Sequence, residues 1–155
     1  MMIRKCLVFA LSAGVLLGTG ILAAGPSLSK AADDESPLGK VMEKVNKHNS
    51  TIKKGVRNKV AFVKAQKDVE KSAKELVKLA KEAKDLKDVA KKAKDVANPE
   101  KKWDEYIDDF IKSSEKLEQV AGKADAKFED AKDAFTKVTS ACADCHKDFR
   151  KDESF

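Results

Sequence analysis

The chain has 155 residues, with 32 Lys and Arg against 26 Asp and Glu, a formal net charge of +6 and only 6% aromatic residues. That length suits one domain, and a composition rich in Ala, Lys, Glu, Asp and Leu, with seven glycines and three prolines, excludes a sheet-rich or collagen-like chain and favours helices. A zinc site takes about four ligands, and the second closely spaced cysteine or histidine pair that zinc patterns show beside the first is absent here.

The chain opens on a positive start, "MMIRK", followed by the uncharged apolar run "CLVFALSAGVLLGTGILAA" and by "GPSLSKA", a polar stretch ending in small residues. Together these read as an export leader, residues 1–31, cleaved after Ala31 to leave a domain of residues 32–155 in the periplasm. The run from Cys6 to Ala24 is 19 residues, inside the spanning range of about 17–25, so a retained leader would be a membrane anchor. Its scattered glycines and alanines and the small residues after it favour cleavage. Arg4, Lys5 and Lys30 leave with a leader that holds no acid, which lowers the net charge by three, to +3; Cys6 leaves as well.

In the mature part, Ser36-Pro37 and Asn98-Pro99 each pair an N-cap with a first-turn proline, and Gly122 closes one helix before Asp125 caps the next. Four amphipathic segments lie between these marks. The first, about 37–57, carries Leu38, Val41, Met42, Val45, Ile52 and Val56. The second, about 60–86, has Val69, Ala73, Leu76, Ala80 and Ala83 after a short apolar "VAFV", and a Lys/Ala-rich stretch to Asn98 continues it or forms a loop. The third, about 99–121, has Trp103, Ile107, Phe110, Leu117 and Val120. The fourth, about 125–149, has Phe128, Ala131, Phe135, Val138, Cys142, Cys145 and Phe149 in steps of three and four, which sets both cysteines on its buried seam. Joined by short connections, such helices predict an all-α, antiparallel four-helix bundle, whose facing helices are a usual place for a cofactor.

The last segment contains "SACADCHKDFR", Ser140 to Arg150. Cys142-x-x-Cys145-His146 is the form that attaches a c-type haem: two thiols add across the vinyl groups and the adjacent imidazole binds iron. A disulfide, ordinary in an exported chain, would here close only a small ring and would not need the histidine. A thioredoxin-like dithiol belongs at the start of a helix in a βαβ setting, whereas this pair lies near the end of a helical chain. No enzyme constellation competes, since there is no Gly-rich phosphate loop and no serine with an evident base. In runs such as "KELVKLAKEAKD" lysines alternate with acids and no aromatic residue is interleaved for base stacking, so these are solvated helix faces and not a nucleic-acid groove.

The C-terminal "CADCHKDFR", the preceding helix with Trp103 and Phe110, and a first helix with Met42 near its start resemble class II cytochromes c, the cytochromes c prime and their low-spin relatives. The resemblance implies a four-helix bundle with one covalently attached haem c near its C-terminal end, held by Cys142, Cys145 and His146. It also implies periplasmic redox partner proteins, docking through lysines around the haem edge, and members that occur as monomers and as dimers. The chain departs from many members in having Leu38 where an arginine stands four residues before the methionine.

Opposite His146 two arrangements remain open. In one, Met42 is the second axial ligand and the protein carries single electrons; in the other, the iron is five-coordinate and binds nitric oxide or carbon monoxide. The stretch "VMEKVNKHNSTI" resembles the first helix of the soluble bacterial four-helix cytochrome b, whose methionine at this point binds iron. At about 100° per residue Asn46, Asn49 and Lys53 share Met42's side, which is polar for a simple core stripe and suited to a haem edge. His48, the rival ligand, lies about 240° around the helix from Met42.

Overall fold

A computed structural model describes residues 36–150, so the expected leader and its cleavage point lie outside the described residues. Five helices follow in order: α1 (Pro37–Gly55), α2 (Lys59–Lys84), α3 (Asp88–Lys92), α4 (Pro99–Ala121) and α5 (Phe128–Phe149). Among the described residues there is no strand. Four of the helices are long and form the expected bundle; α3 is a short addition in the α2–α4 connection.

Local chemistry explains most of the boundaries. Ser36 Oγ accepts from the Gly39 N–H at 2.9 Å with Pro37 in the first turn, and Asn58 Oδ1 accepts from the Ala61 N–H at 2.9 Å to start α2. The sequence pattern did not single out Asn58. Asn98 stands at the N-cap position of α4, but at φ 49°, ψ 58° it is left-handed and its side chain caps nothing, contrary to expectation. Asp125 likewise does not cap α5. The Ala126 N–H donates to the Lys123 carbonyl at 3.2 Å in a separate turn, and α5 begins three residues after Asp125, at Phe128, whose ring lies 6.3 Å from Phe62.

The apolar residues read from the spacing are largely the core: Val41, Val45 and Ile52 of α1, Val69, Ala73, Leu76 and Ala80 of α2, Trp103, Ile107 and Leu117 of α4, and Ala131, Phe135 and Val138 of α5 are buried. The "VAFV" run is the exception, because only Phe62 turns inward while Val60 and Val63 stand 66% and 69% exposed. Where α1 ends, a Cβ on Gly55 would lie 2.5 Å from Val69 Cγ2, so a side chain here would force the two helices apart. The Gln66 amide donates to the Ala121 and Lys123 carbonyls, both at 2.8 Å, and so satisfies acceptors left open at the end of α4.

Packing runs α1 on α2, α2 on α4 and α4 on α5, with α3 against α4. The connection after α2 is tied down by ion pairs from Lys84 to Asp108 and from Lys87 to Asp104, and Ala90 is buried beneath it. These pairs bring the end of α2 beside the start of α4, as antiparallel helices require. Between α1 and α5, by contrast, there is little close backbone approach. The ring of four helices is therefore loosest between α1 and α5.

Candidate functional site

Cys142, Cys145 and His146 occupy positions i, i+3 and i+4 in the last two turns of α5, on neighbouring positions of one helical face. Both thiols are half-buried against the core, whereas His146 is exposed. They are free and not joined in a disulfide. Burial pushes the Cys142 thiol up; burial, then the negative charge of a Cys142 thiolate and of Asp148, pushes Cys145 up to about 12. A dithiol built for exchange has a depressed pKa, so this pair has the wrong electrostatics for a thioredoxin-like site. His146 is shifted the other way: the surrounding protein disfavours its charged ring even though its outer edge meets solvent, and the Arg150 cation adds to the effect. The neutral imidazole, the form that binds a metal, is favoured.

The end of α5 is held in place by α4. Phe149 is buried with its ring edge-on to Trp103, centroids 5.4 Å apart, and to Tyr106, 6.1 Å apart. Asp148 accepts from the Tyr106 hydroxyl at 2.7 Å and pairs with Lys102 Nζ at 2.6 Å. This cluster fixes the rotation of α5's last turns and hence the direction of the cysteine face. The sequence reading missed it: Trp103 and Phe149 were legible as core residues, but nothing in either segment says that they meet.

Met42 is half-buried one to two turns into α1, one turn after the half-buried Leu38, while its neighbours Val41 and Val45 turn into the core. Because successive long helices alternate in direction, the start of α1 lies at the same end of the bundle as the end of α5. His48 is half-buried toward α2. There Glu75 is held below the usual carboxylate value by its 2.7 Å hydrogen bond from Lys78, with Lys78 and then His48 among the positive charges that add to the shift. The histidine thus lies toward α2, while Met42 packs against the core near the start of α1. Of the polar residues on Met42's side, Asn46 and Lys53 are exposed, and Asn49 is half-buried with its Oδ1 buried and unpartnered.

The donor set suits a haem. Among the described residues no three His, Cys, Asp or Glu side chains converge on a metal position. Half-buried thiols, a neutral imidazole and a thioether share one loosely closed, apolar end. At that end Trp103, 2% exposed, has a buried Nε1–H with no acceptor, an unspent donor suited to a group with carboxylates of its own.

A family model described as Cytochrome C′ matches residues 39–150, from the first turn of α1 to the end of α5. The chain belongs to the cytochrome c′ family, the class II cytochromes c, and is a c-type haem protein with that family's four-helix fold. Comparison with curated proteins and with solved structures gave no match.

The Asp148 cluster makes a pH prediction. Tyr106 is raised above its ordinary 10.0, first by its hydrogen bond to Asp148, then by burial and by that carboxylate's charge; Asp148 is held below its ordinary 3.8, first by Lys102 and then by Tyr106. The depressed acid contributes stability above pH 3.8 that is lost as pH falls through its folded value. The raised phenol contributes stability below pH 10.0 that is lost as pH rises through its folded value. The chain has one tyrosine, so a 13C label at its Cζ reports this group alone. The expected midpoint lies above 10.0 and moves down in Asp148→Asn; an unchanged midpoint in that variant would mean the bond does not persist in solution.

Proposed function

We propose that this protein is a periplasmic single-electron carrier with one haem c, attached through Cys142 and Cys145 and ligated by His146 and Met42. What supports the reading is Met42: a half-buried thioether on α1, at the bundle end where α5 carries the cysteine and histidine face, across a seam the two helices do not close. When bound, the haem supplies the one-electron couple. The protein supplies everything else. Cys142 and Cys145 fix the macrocycle to α5 as thioethers, His146 offers a neutral nitrogen, and the Met42 sulfur, a soft ligand, holds the potential high. Leu38, Trp103 and Phe149 exclude water from this end, and the Trp103 Nε1–H is a buried donor left to meet one of the haem's own carboxylates. Redox partner proteins would dock at this end, where the haem edge meets solvent. No enzymatic step is needed for this role.

Export by the residue 1–31 leader supplies the compartment. Among the described residues no helix is long and apolar enough to cross a membrane.

The family's description favours a second reading, in which the iron is five-coordinate, Leu38 and Met42 form a wall without a bond, and the protein binds nitric oxide or carbon monoxide. Optical spectra of the oxidised and reduced holoprotein, with and without carbon monoxide, separate the two. A low-spin spectrum indifferent to the gas is expected; a high-spin spectrum that shifts on adding carbon monoxide would establish the gas-binding role instead.

A further inference from the structure

From Lys44 to Lys67 the chain carries eight lysines and arginines and no carboxylate; Glu43 and Asp68 bound the stretch. The alternation of charges that marks the later part of α2 fails here. The stretch forms the α1–α2 hairpin, and its tip presents Lys53, Lys54, Arg57, Lys59, Lys64 and Lys67, all exposed. None of the eight cations pairs with a carboxylate among the described residues, whereas six lysines elsewhere do. Val60 and Val63 stand among them, the two exposed large hydrophobic residues of the described chain, 66% and 69% exposed. They are three residues apart on α2 and so share one face of its first turns. On the α1 side of the tip a shallow recess is lined by Ser50, Lys53, Lys54 and Arg57.

We propose that this hairpin tip docks on an anionic lipid surface, its cations on headgroup phosphates and its two valines in the layer beneath. Charge complementarity selects the class of partner, and the valines narrow it. A nucleic acid would meet the cations but leave both valines in water, and the tip offers no exposed aromatic ring for a base. A second copy of the chain would cover the valines only by setting the tip's six cations against six of the same sign. A bilayer offers phosphates above an apolar layer and accommodates both, with lysine stems reaching up from the buried side chains.

Electron exchange is a poor alternative use of the tip. It lies at the far end of α1 from Leu38 and Met42, at 1.5 Å per residue roughly 26 Å and 20 Å away along the helix. A tip resting on lipid would leave the cysteine and histidine end free for partners. The docking requires neither the leader nor any particular axial ligation.

The test is flotation of the purified holoprotein with vesicles of phosphatidylcholine alone and of phosphatidylcholine mixed with phosphatidylglycerol, at low and high salt. Binding is expected only to the mixed vesicles and should fall with salt. Lys54→Glu with Arg57→Glu should weaken it about tenfold or more, and Val60→Ser with Val63→Ser several-fold, with unchanged haem spectra. Lys101→Glu with Lys112→Glu on α4, which makes the same change in net charge, should leave it intact. Absence of binding to mixed vesicles, equal binding to neutral ones, or equal loss in the α4 variant overturns the proposal. So does a sedimentation result in which the valine variant turns a dimer into a monomer and leaves vesicle binding unaltered, since the face would then be an interface between copies.

Discussion

Mass spectrometry of the exported protein is expected to show one haem that survives acid extraction, and the Cys142→Ser/Cys145→Ser double variant none. The two sulfurs sit at i and i+3 on a helix whose last turn is pinned by Phe149 and Asp148, so they face one side together before any cofactor arrives. Their raised pKa values keep them as thiols at neutral pH, the form whose S–H adds across a vinyl group, and not as a dithiolate ready for oxidation. Serine retains the shape and loses the chemistry. Without the covalent link, haem is held only by His146, any second ligand and the half-closed apolar end, and acid extraction will remove it. The loss should also lower thermal stability, because a ligand that binds only the folded state no longer does so covalently. Recovery of wild-type protein as apoprotein, or with a Cys142–Cys145 disulfide, would sink the haem reading.

The sequence carried the helices and their inward faces, because apolar spacing reports which side of a helix is covered without specifying by what. Trp103, Ile107, Phe110, Leu117 and Val120 were legible for that reason, and all are buried. The limits of α4, Pro99 and Ala121, follow from proline and glycine chemistry. Features made by distant segments were not legible. Gln66 reaches carbonyls 55 and 57 residues away, and Tyr106 meets Asp148 across 42 residues; neither residue type at either position signals the partner. The run "VAFV" has no helical spacing to say which of its residues turns inward, and α2 presents Phe62 inward and Val60 and Val63 outward. The same division applies to the site. Cys142, Cys145 and His146 form one local pattern and Met42 was singled out by its place in the first helix, while the scant backbone approach between α1 and α5 arises only when four helices pack.

Replacing Met42 by alanine is expected to abolish the weak sulfur-to-iron band near the red end of the oxidised spectrum and to let carbon monoxide bind the reduced protein. The side chain is only half-buried at the edge of the core, while Val41 and Val45 beside it are the buried residues of that turn. Its truncation should therefore cost less than the 2–5 kcal/mol of a fully buried methionine, about 1–2 kcal/mol of packing, so the fold survives to be measured. Met42→Leu separates sulfur from bulk: it keeps the apolar volume and stability, but should lose the band and lower the potential by on the order of 0.1 V, since a soft axial ligand favours reduced iron. His48→Ala should change neither spectrum nor potential, because that ring faces the Glu75 side of α1. If Met42→Leu retains the wild-type spectrum and potential, the sulfur is not a ligand. A wild-type protein that is already high-spin would then leave Leu38 and Met42 as the apolar wall of a gas-binding pocket.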